Sequence, residues 1–262
     1  MLVTDAPEYA FPHSAPDEAR RLALFEQRLD PLTKRRIEQL KLPRNARCLE
    51  IGGGHGSITR WLADRVGPSG NVTATDLQLD FLRAIDAANV EVIRHDIRTD
   101  SFPERSFDLI HTRAVLMHLP DDLEMLRRMA SWLAPGGWLL FEEPDFGMWI
   151  SDADELWALH PGAWHRTFPS GSLGRGRWLL RHIHRLRLAE IRADAEIDVI
   201  EPGTPLAEFH RLGVAAIGPE AVRAGALTAE QAAALVERPT QPDFLAFGFV
   251  HVGVWGRRPL EG

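Results

Sequence analysis

The chain of 262 residues has a single cysteine, Cys48, so no disulfide can form within it. Cys48 sits in an apolar run and reads as a small buried residue rather than a reactive thiol, which points to a reducing, cytoplasmic setting. Positive charge is also short: 30 Lys and Arg stand against 37 Asp and Glu, a net charge of −7, with no dense basic stripe. A nucleic-acid partner needs such a stripe, so none is expected. The richest basic stretch sets Arg175, Arg177, Arg181, Arg185 and Arg187 opposite Trp178, Leu179, Ile183 and Leu186, the pattern of a solvated helix face. No apolar run approaches the ~20 residues needed to cross a bilayer. Asp5, Pro7, Glu8 and Pro12 break any signal-peptide pattern, so no membrane association is expected. There is no Cys/His cluster at zinc spacing and no Asp/Asn set suited to magnesium, hence no expected metal.

Hydrophobic residues make up 45 % of the chain, enough for a large core that needs no disulfide or metal. Residues 1–16 read as an arm. From Asp17, Leu22, Leu24, Phe25, Leu29, Leu32, Ile37 and Leu40 recur at helical spacing, and Pro31 is expected to split them into two helices with Asp30 capping the second. Strands at Ala46–Ile51, Val72–Thr75, Val90–Arg94, Phe107–His111 and Trp138–Glu142 then alternate with helices at Ile58–Val66, Leu77–Ala88 and Asp121–Leu133. A helix at Ser172–Leu188, a strand at Ile191–Ile200, a helical insertion over 202–238 and a strand at Phe244–Trp255 complete the pattern. Such alternation predicts an α/β fold, Rossmann-like and doubly wound, with a mainly parallel seven-stranded sheet and helical cap insertions. The divisions are 1–44 (arm and lid helices), 45–146 (ligand-binding core), 147–172 (aromatic cap) and 173–262 (the rest of the core). Right-handed crossovers place a ligand crevice at the carboxyl ends of the strands.

The chemistry concentrates at Glu50-Ile51-Gly52-Gly53-Gly54-His55-Gly56, a glycine turn between strand and helix. Glycines let the backbone turn tightly and a ligand lie against it. The helix beginning near Ser57 offers unpaired N–H groups to a negative group such as a carboxylate. Asp76 ends the second strand about 20 residues on, where a carboxylate accepts both ribose hydroxyls. Asp96 follows the third strand, placed for an adenine amino group. A dinucleotide fingerprint needs G-x-G-x-x-G, and here the third position falls on Ser57 or Thr59, which argues against a nicotinamide-dependent oxidoreductase.

These segments resemble, in order, the motifs of class I SAM-dependent methyltransferases. The glycine turn resembles their E-x-G-x-G-x-G motif, and Asp76 and Asp96 match their two acids. Phe107-Asp108-Leu109-Ile110 is similar to their fourth-strand motif, and Leu133-Ala134-Pro135-Gly136-Gly137 to the turn before their fifth strand. The arm Tyr9-Ala10-Phe11 with Glu18, Arg21 and Leu22 is similar to the lid of a bacterial small-molecule branch. The resemblance implies S-adenosyl-L-methionine as cofactor, with Gly52, Gly54 and Gly56 under its methionine and ribose. Asp76 would hold the ribose, Leu77 would pack on adenine, and Asp96 with Ile97 would hold its edge. Arg113 is a candidate for the methionine carboxylate or the substrate, and Tyr9 and Gln27 are lid candidates.

The methyl of SAM is already activated, so in-line alignment and exclusion of water are the main demands on the protein. Where a base is needed, His111, His118 and His165 are the candidates near neutral pH. Glu142, Glu143 and Asp145 at the end of the fifth strand are candidates for a base or an amine-binding group. Trp149, Trp157, His160, Trp164 and Phe168 suggest a small aromatic or apolar acceptor such as an indole or phenol, methylated on O, N or C. The absence of an N/D-P-P-Y/F motif after His111-Thr112-Arg113 argues against nucleobase amines. A SAM-binding module without catalysis would carry the same glycine site, and an arm exchanged between protomers would give a homodimer.

Overall fold

A computed structural model of the chain describes residues 11, 14–120, 122–148, 154–167 and 173–260. Within them lies one seven-stranded sheet of β1 (Arg47–Ile51), β2 (Asn71–Asp76), β3 (Val90–Arg94), β4 (Phe107–Arg113), β5 (Leu133–Asp145), β6 (Ala189–Ile200) and β7 (Ala246–Arg257). Their order is β3-β2-β1-β4-β5-β7-β6. β1 to β5 pair in parallel, while β7 runs antiparallel between β5 and β6. The α/β expectation therefore holds, with a mixed sheet in which β7 is reversed. The strand order turns back at β1, which has β2 on one side and β4 on the other, so a crevice opens at their carboxyl ends.

Alternation along the strands feeds two cores. On one face Cys48, Val72, Leu109, Leu140 and Trp255 meet Ile37 and Leu40 from the end of α1 (Glu18–Gln39), and Ile58, Leu62 and Val66 from α2 (Ser57–Val66). On the other, Leu49, Ile110, Leu139, Phe141 and Val254 meet Met125, Leu126 and Met129 of α3 (Leu123–Ser131) and Leu179 of α5 (Arg175–His182). The buried thiol of Cys48 is pushed well above its ordinary pKa, chiefly by burial, which makes it inert. A third cluster forms a cap from α4 (Leu159–Thr167), α6 (Pro205–Arg223) and α7 (Ala229–Glu237), packed around Trp157, Phe244 and Phe249.

Local rules were overridden in three places. Pro31 does not split the first helix: α1 runs unbroken through it. The hydrogen bond lost at Pro31 is offset by side chains that tie this stretch to the sheet. The Arg36 guanidinium, wholly buried, bonds Glu142, donates to Asp194 at 2.7 Å and meets His251 Nδ1 at 3.0 Å. Gly253 makes room for it, since a Cβ there would collide with the Arg36 side chain. Thr33 donates to Glu142 at 2.5 Å. Between β2 and β3 the helix expected over 77–88 is only a single 3-10 turn, Leu82–Ala84. Leu82 and Ile85 pack against the glycine turn instead of forming a helical stripe. The helix expected from Ser172 begins at Arg175 and ends in a 3-10 turn, Ile183–Leu186; Ser172 lies outside the described residues.

Candidate functional site

A cavity of about 420 Å³ runs from the glycine turn to the cap. Gly52, Gly53 and Gly54 lie at its floor, while Gly56, expected there too, is not on the cavity wall and faces Ile85 and Leu82. Gly52, Gly54 and Gly56 have φ of +72°, +56° and +88°, a region that penalises any side chain. A Cβ on Gly52 would collide with Val115, whereas Gly54 faces open space. Gly52 and Gly53 donate to the Thr75 carbonyl at 2.8 and 3.0 Å, which locks the turn to β2. Asp76 accepts from the Gly54 and Gln78 amides at 3.1 and 3.2 Å and so holds its carboxylate against the cavity wall. Leu77 beside it is 38 % exposed, an apolar surface offered to a ligand.

Further along, Asp96 and Ile97 line the cavity. Both Asp96 oxygens are engaged by the Arg98 guanidinium at 2.6 to 3.1 Å, and this hydrogen bonding holds the carboxyl below its ordinary pKa. His95, missed by the sequence reading, is buried, lines the cavity and stacks on Phe102 at 4.6 Å. Neither of its ring nitrogens has a hydrogen-bond partner among the described residues, and burial lowers its pKa from the ordinary histidine value.

The methionine end differs from expectation. The α2 N-terminus, expected to receive a ligand carboxylate, is met by the chain's own Glu26, which accepts from Ser57 N–H at 3.1 Å and contacts His55 at 3.1 Å. Arg113 lines the cavity, and donates to Asp30 and Thr33 at 3.0 Å each. Glu50, also lining the cavity, accepts from Thr59. Glu26, Glu50 and Arg113 thus put carboxylates and a guanidinium at one end, which suits a zwitterion.

His111 is not a base facing the cleft. It is fully buried beneath the cavity floor, 2.9 Å from Glu142 and 3.7 Å from Glu50. Burial opposes its charge, yet hydrogen bonds to the two glutamates win and raise its pKa above the ordinary histidine value. Glu142 is correspondingly depressed: burial pushes it up, and His111, His251 and Arg36 pull it further down. Glu143 is buried too, accepting from the Val115, Leu116 and Met117 amides at 3.1, 2.8 and 3.0 Å. Burial pushes it up to about 7 against those amides and Arg175. It pins the loop after β4, whose Val115 and Met117 line the cavity. Asp145 is held by Arg177 at 2.7 Å and by the Gly147 amide at 2.9 Å. All three fifth-strand acids are committed to holding structure.

The cap end is walled by rings. Phe11 stacks on Trp164 at 5.6 Å, Phe25 on Phe209 at 5.5 Å, and His118 lies 6.2 Å from Trp164. His160 lines the cavity as expected, with His210 from α6 as an unforeseen companion. Trp157 is 1 % exposed and belongs to the cap's interior rather than the cavity wall. His165 is exposed on α4 away from the cavity, and Gln27 lies on the outer side of α1 while Leu22, Phe25 and Glu26 face in. Leu22 stands one helical turn before Phe25 and Glu26, a spacing that was a readable signal. Tyr9, Trp149 and Phe168 lie outside the described residues.

Residues 21–182, more than half of the chain, match a family described as "Methyltransferase domain". Methyltransferase str2 of Strobilurus tenacellus is 30 % identical over 152 residues, 56 % of this chain and 49 % of that protein. The ubiquinone/menaquinone biosynthesis C-methyltransferase UbiE of Ectopseudomonas mendocina is 35 % identical over 105 residues, covering 37 % of this chain and 41 % of that protein. The chain thus spans about half or less of the curated relatives it matches. Phosphoethanolamine N-methyltransferase 2 of Haemonchus contortus, solved with S-adenosylhomocysteine (SAH), superposes with TM-score 0.54 at 18 % identity. That match covers 92 % of this chain and 52 % of the other. From the matched family and the Rossmann-like sheet, the chain belongs to the class I SAM-dependent methyltransferases.

Proposed function

We propose that the chain moves a methyl group from SAM to O, N or C of a small aromatic or apolar molecule. The observation that carries this reading is one continuous cavity, polar and charged at the glycine turn and ring-walled at the cap. The residues present fit the donor. Three glycines clear a floor, Asp76 offers a carboxylate to ribose hydroxyls, and Leu77 and Ile97 offer apolar surface to adenine. Glu26 and Glu50 suit an ammonium, and Arg113 a carboxylate. SAM supplies a methyl on a positively charged sulfur, ready for displacement.

The chain's own work is to orient and to dry the site. Glu143 fixes the 115–117 loop over Gly52, so Val115 and Met117 hold one position. α1 lies across the opening, anchored by Arg36, and turns Leu22 and Phe25 toward the cavity. Rings from α1, α4 and α6 exclude water around the acceptor, which lowers the cost of bringing a weak nucleophile to the sulfonium.

Titration calorimetry with SAH and with NADH tests the donor: SAH is expected to bind and NADH not to. Transfer of labelled methyl from SAM to a panel of aromatic metabolites tests the reaction. SAH binding without transfer to any of them would favour a SAM-binding module instead.

A further inference from the structure

The loop that follows β4 reaches both ends of the cavity. Val115 packs on Gly52 of the glycine turn, where an added Cβ would sit 2.1 Å from a Val115 methyl. Two residues on, Met117 joins Phe11, Trp164 and Ile217 in an apolar cluster under the cap. Val115 and Met117 both line the cavity. The backbone enters this loop through Ala114 with φ of +54°, a left-handed conformation that any residue with a Cβ resists. A loop strained in this way keeps its shape only where other bonds hold it.

Three of those bonds end on one buried side chain. One oxygen of Glu143 accepts from the Val115 and Leu116 amides at 3.1 and 2.8 Å, and the other from Met117 at 3.0 Å. With N–H groups on both oxygens, the arrangement suits the carboxylate. A proton on either oxygen makes it a poor acceptor and sets an O–H against an N–H. Burial works the other way and pushes the carboxyl up to about 7, opposed by the amides and by Arg175 of α5. Near neutral pH the charged and neutral forms therefore coexist. Nearby, Asp145 is held by Arg177, and His118, just past the loop, is lowered to about 4 by burial. β7 sets Val252 opposite Glu143, and the Glu142 carboxylate is engaged with Thr33 and His111.

Building on the methyl-transfer reading, we propose that Glu143 is a positioning residue whose charged form shapes the loop shared by donor and acceptor, so that donor binding drives its proton off. The O–H bond breaks with its electron pair remaining on the carboxyl oxygen, and the proton passes to solvent. The three amides then hold the carboxylate, Val115 settles on Gly52, and Met117 keeps its place in the wall. Glu143 touches neither ligand and acts through this loop alone. Folding follows the opposite sign. A carboxyl raised from 4.5 to about 7 contributes stability that is lost as pH rises through 7, whereas donor affinity grows over that range. A purely structural role would make affinity follow stability.

The experiment titrates the full chain with SAH in a calorimeter between about pH 6 and pH 8, using two buffers of different ionisation enthalpy at each pH. A carboxyl of pKa about 7 is about nine-tenths protonated at pH 6. If it must ionise on binding, SAH affinity should rise about tenfold from pH 6 to pH 8, and binding at pH 6 should release about one proton. Glu143→Gln stays neutral. It should bind SAH about tenfold more weakly than the unsubstituted chain at pH 8, with no rise across this range and no proton released. Glu143→Asp keeps the charge on a shorter arm, so it should recover part of the affinity at pH 8 and move the midpoint of the rise. Melting curves at pH 6 show whether each variant folds. The inference is overturned if the unsubstituted chain releases no proton at pH 6, or if Glu143→Gln keeps the rise. Should Glu143→Gln not fold, Glu143→Asp carries the test, and an unmoved midpoint overturns the inference. Failure of SAH to bind at any of these pH values would instead overturn the methyl-transfer reading.

Discussion

The two ends of the cavity are built on opposite electrostatic plans. The end at the glycine turn concentrates Glu26, Glu50, Asp76, Asp96 and Arg113, and rests on a buried layer in which Arg36, Glu142 and His111 exchange charge. Among the described residues, the end under the cap has the Arg21–Glu18 pair and histidines whose pKa values burial lowers, set among rings. The first end also stands on strand termini fixed by the sheet, whereas the second is assembled from helices far apart in sequence. A charged, invariant donor and a variable neutral acceptor would ask for this division. Fixed carboxylates read hydroxyls and ammonium, while soft ring packing accepts a flat molecule.

The largest effect is expected at the floor. Gly52→Val forces a side chain into a backbone with φ +72° and into the space of Val115. SAH affinity should fall at least about 100-fold in calorimetry, with binding energy lost to both strain and the collision. If SAH still binds, the donor does not lie over this turn. Next is the layer beneath: Arg36→Met takes the buried guanidinium away from Glu142, which keeps Thr33 and His111, and from Asp194, and urea unfolding should show a loss of about 3–5 kcal/mol. Asp76→Ala should cost about 1.5–3 kcal/mol of SAH binding and little stability, since a carboxylate facing the cavity serves the ligand more than the fold.

The two ends should also part company with pH. His111 has a folded pKa raised above 6.5, so its share of stability is fully present below pH 6.5 and is lost as pH rises through the raised value. His118, His160 and His210 are depressed to about 4, about 4 and about 3 from an ordinary 6.5. Below pH 6.5 the unfolded chain takes up protons that these buried rings refuse, so stability falls as pH drops toward 4. Thermal melting across this range should therefore be dome-shaped. His111→Gln should flatten part of the alkaline limb, which it shares with the raised Glu143, and the His160→Phe, His210→Phe pair should flatten part of the acid limb, which they share with His118 and His95. If the cap pair's substitution changes the alkaline limb, the separation of the two ends is wrong.

The cofactor end was readable because its requirements are local. A strand-to-helix turn with positive φ needs glycine, and the acids at the ends of β2 and β3 follow from strand position. His111 was misplaced because its surroundings are not local: Glu142 comes from β5, and Arg36, which shares Glu142, from α1. The same layer explains why Pro31, a helix breaker by local rule, sits inside α1. In the cap, Phe209 and His210 lie in an insertion whose spacing shows a helix but not the face it turns to the cavity. Trp157, attractive as a large aromatic, became the centre of the cap's core, and the polar rings beside it line the cavity.

The smallest effect tests how finished the charged end is. Both oxygens of Asp96 are held by Arg98, two residues away, in a pair that is half exposed on the arginine side. An exposed pair of this kind contributes about 0–1 kcal/mol to stability, so Arg98→Ala should leave the melting temperature nearly unchanged. Its effect on SAH depends on what Arg98 does for Asp96. If the arginine competes with the adenine amino group for the same lone pairs, removing it frees an acceptor and SAH affinity should rise by about two- to fivefold. If the arginine instead fixes the carboxylate toward the cavity, affinity should fall by a similar factor. Competition is the expected outcome, because the Arg98 backbone amide also donates to Asp96 at 3.0 Å and, with the chain's turn there, holds the side chain in place without the guanidinium. Calorimetry on Arg98→Ala beside Asp96→Asn separates the two, since a rise in the first and a fall in the second can occur together only when Asp96 itself meets the ligand.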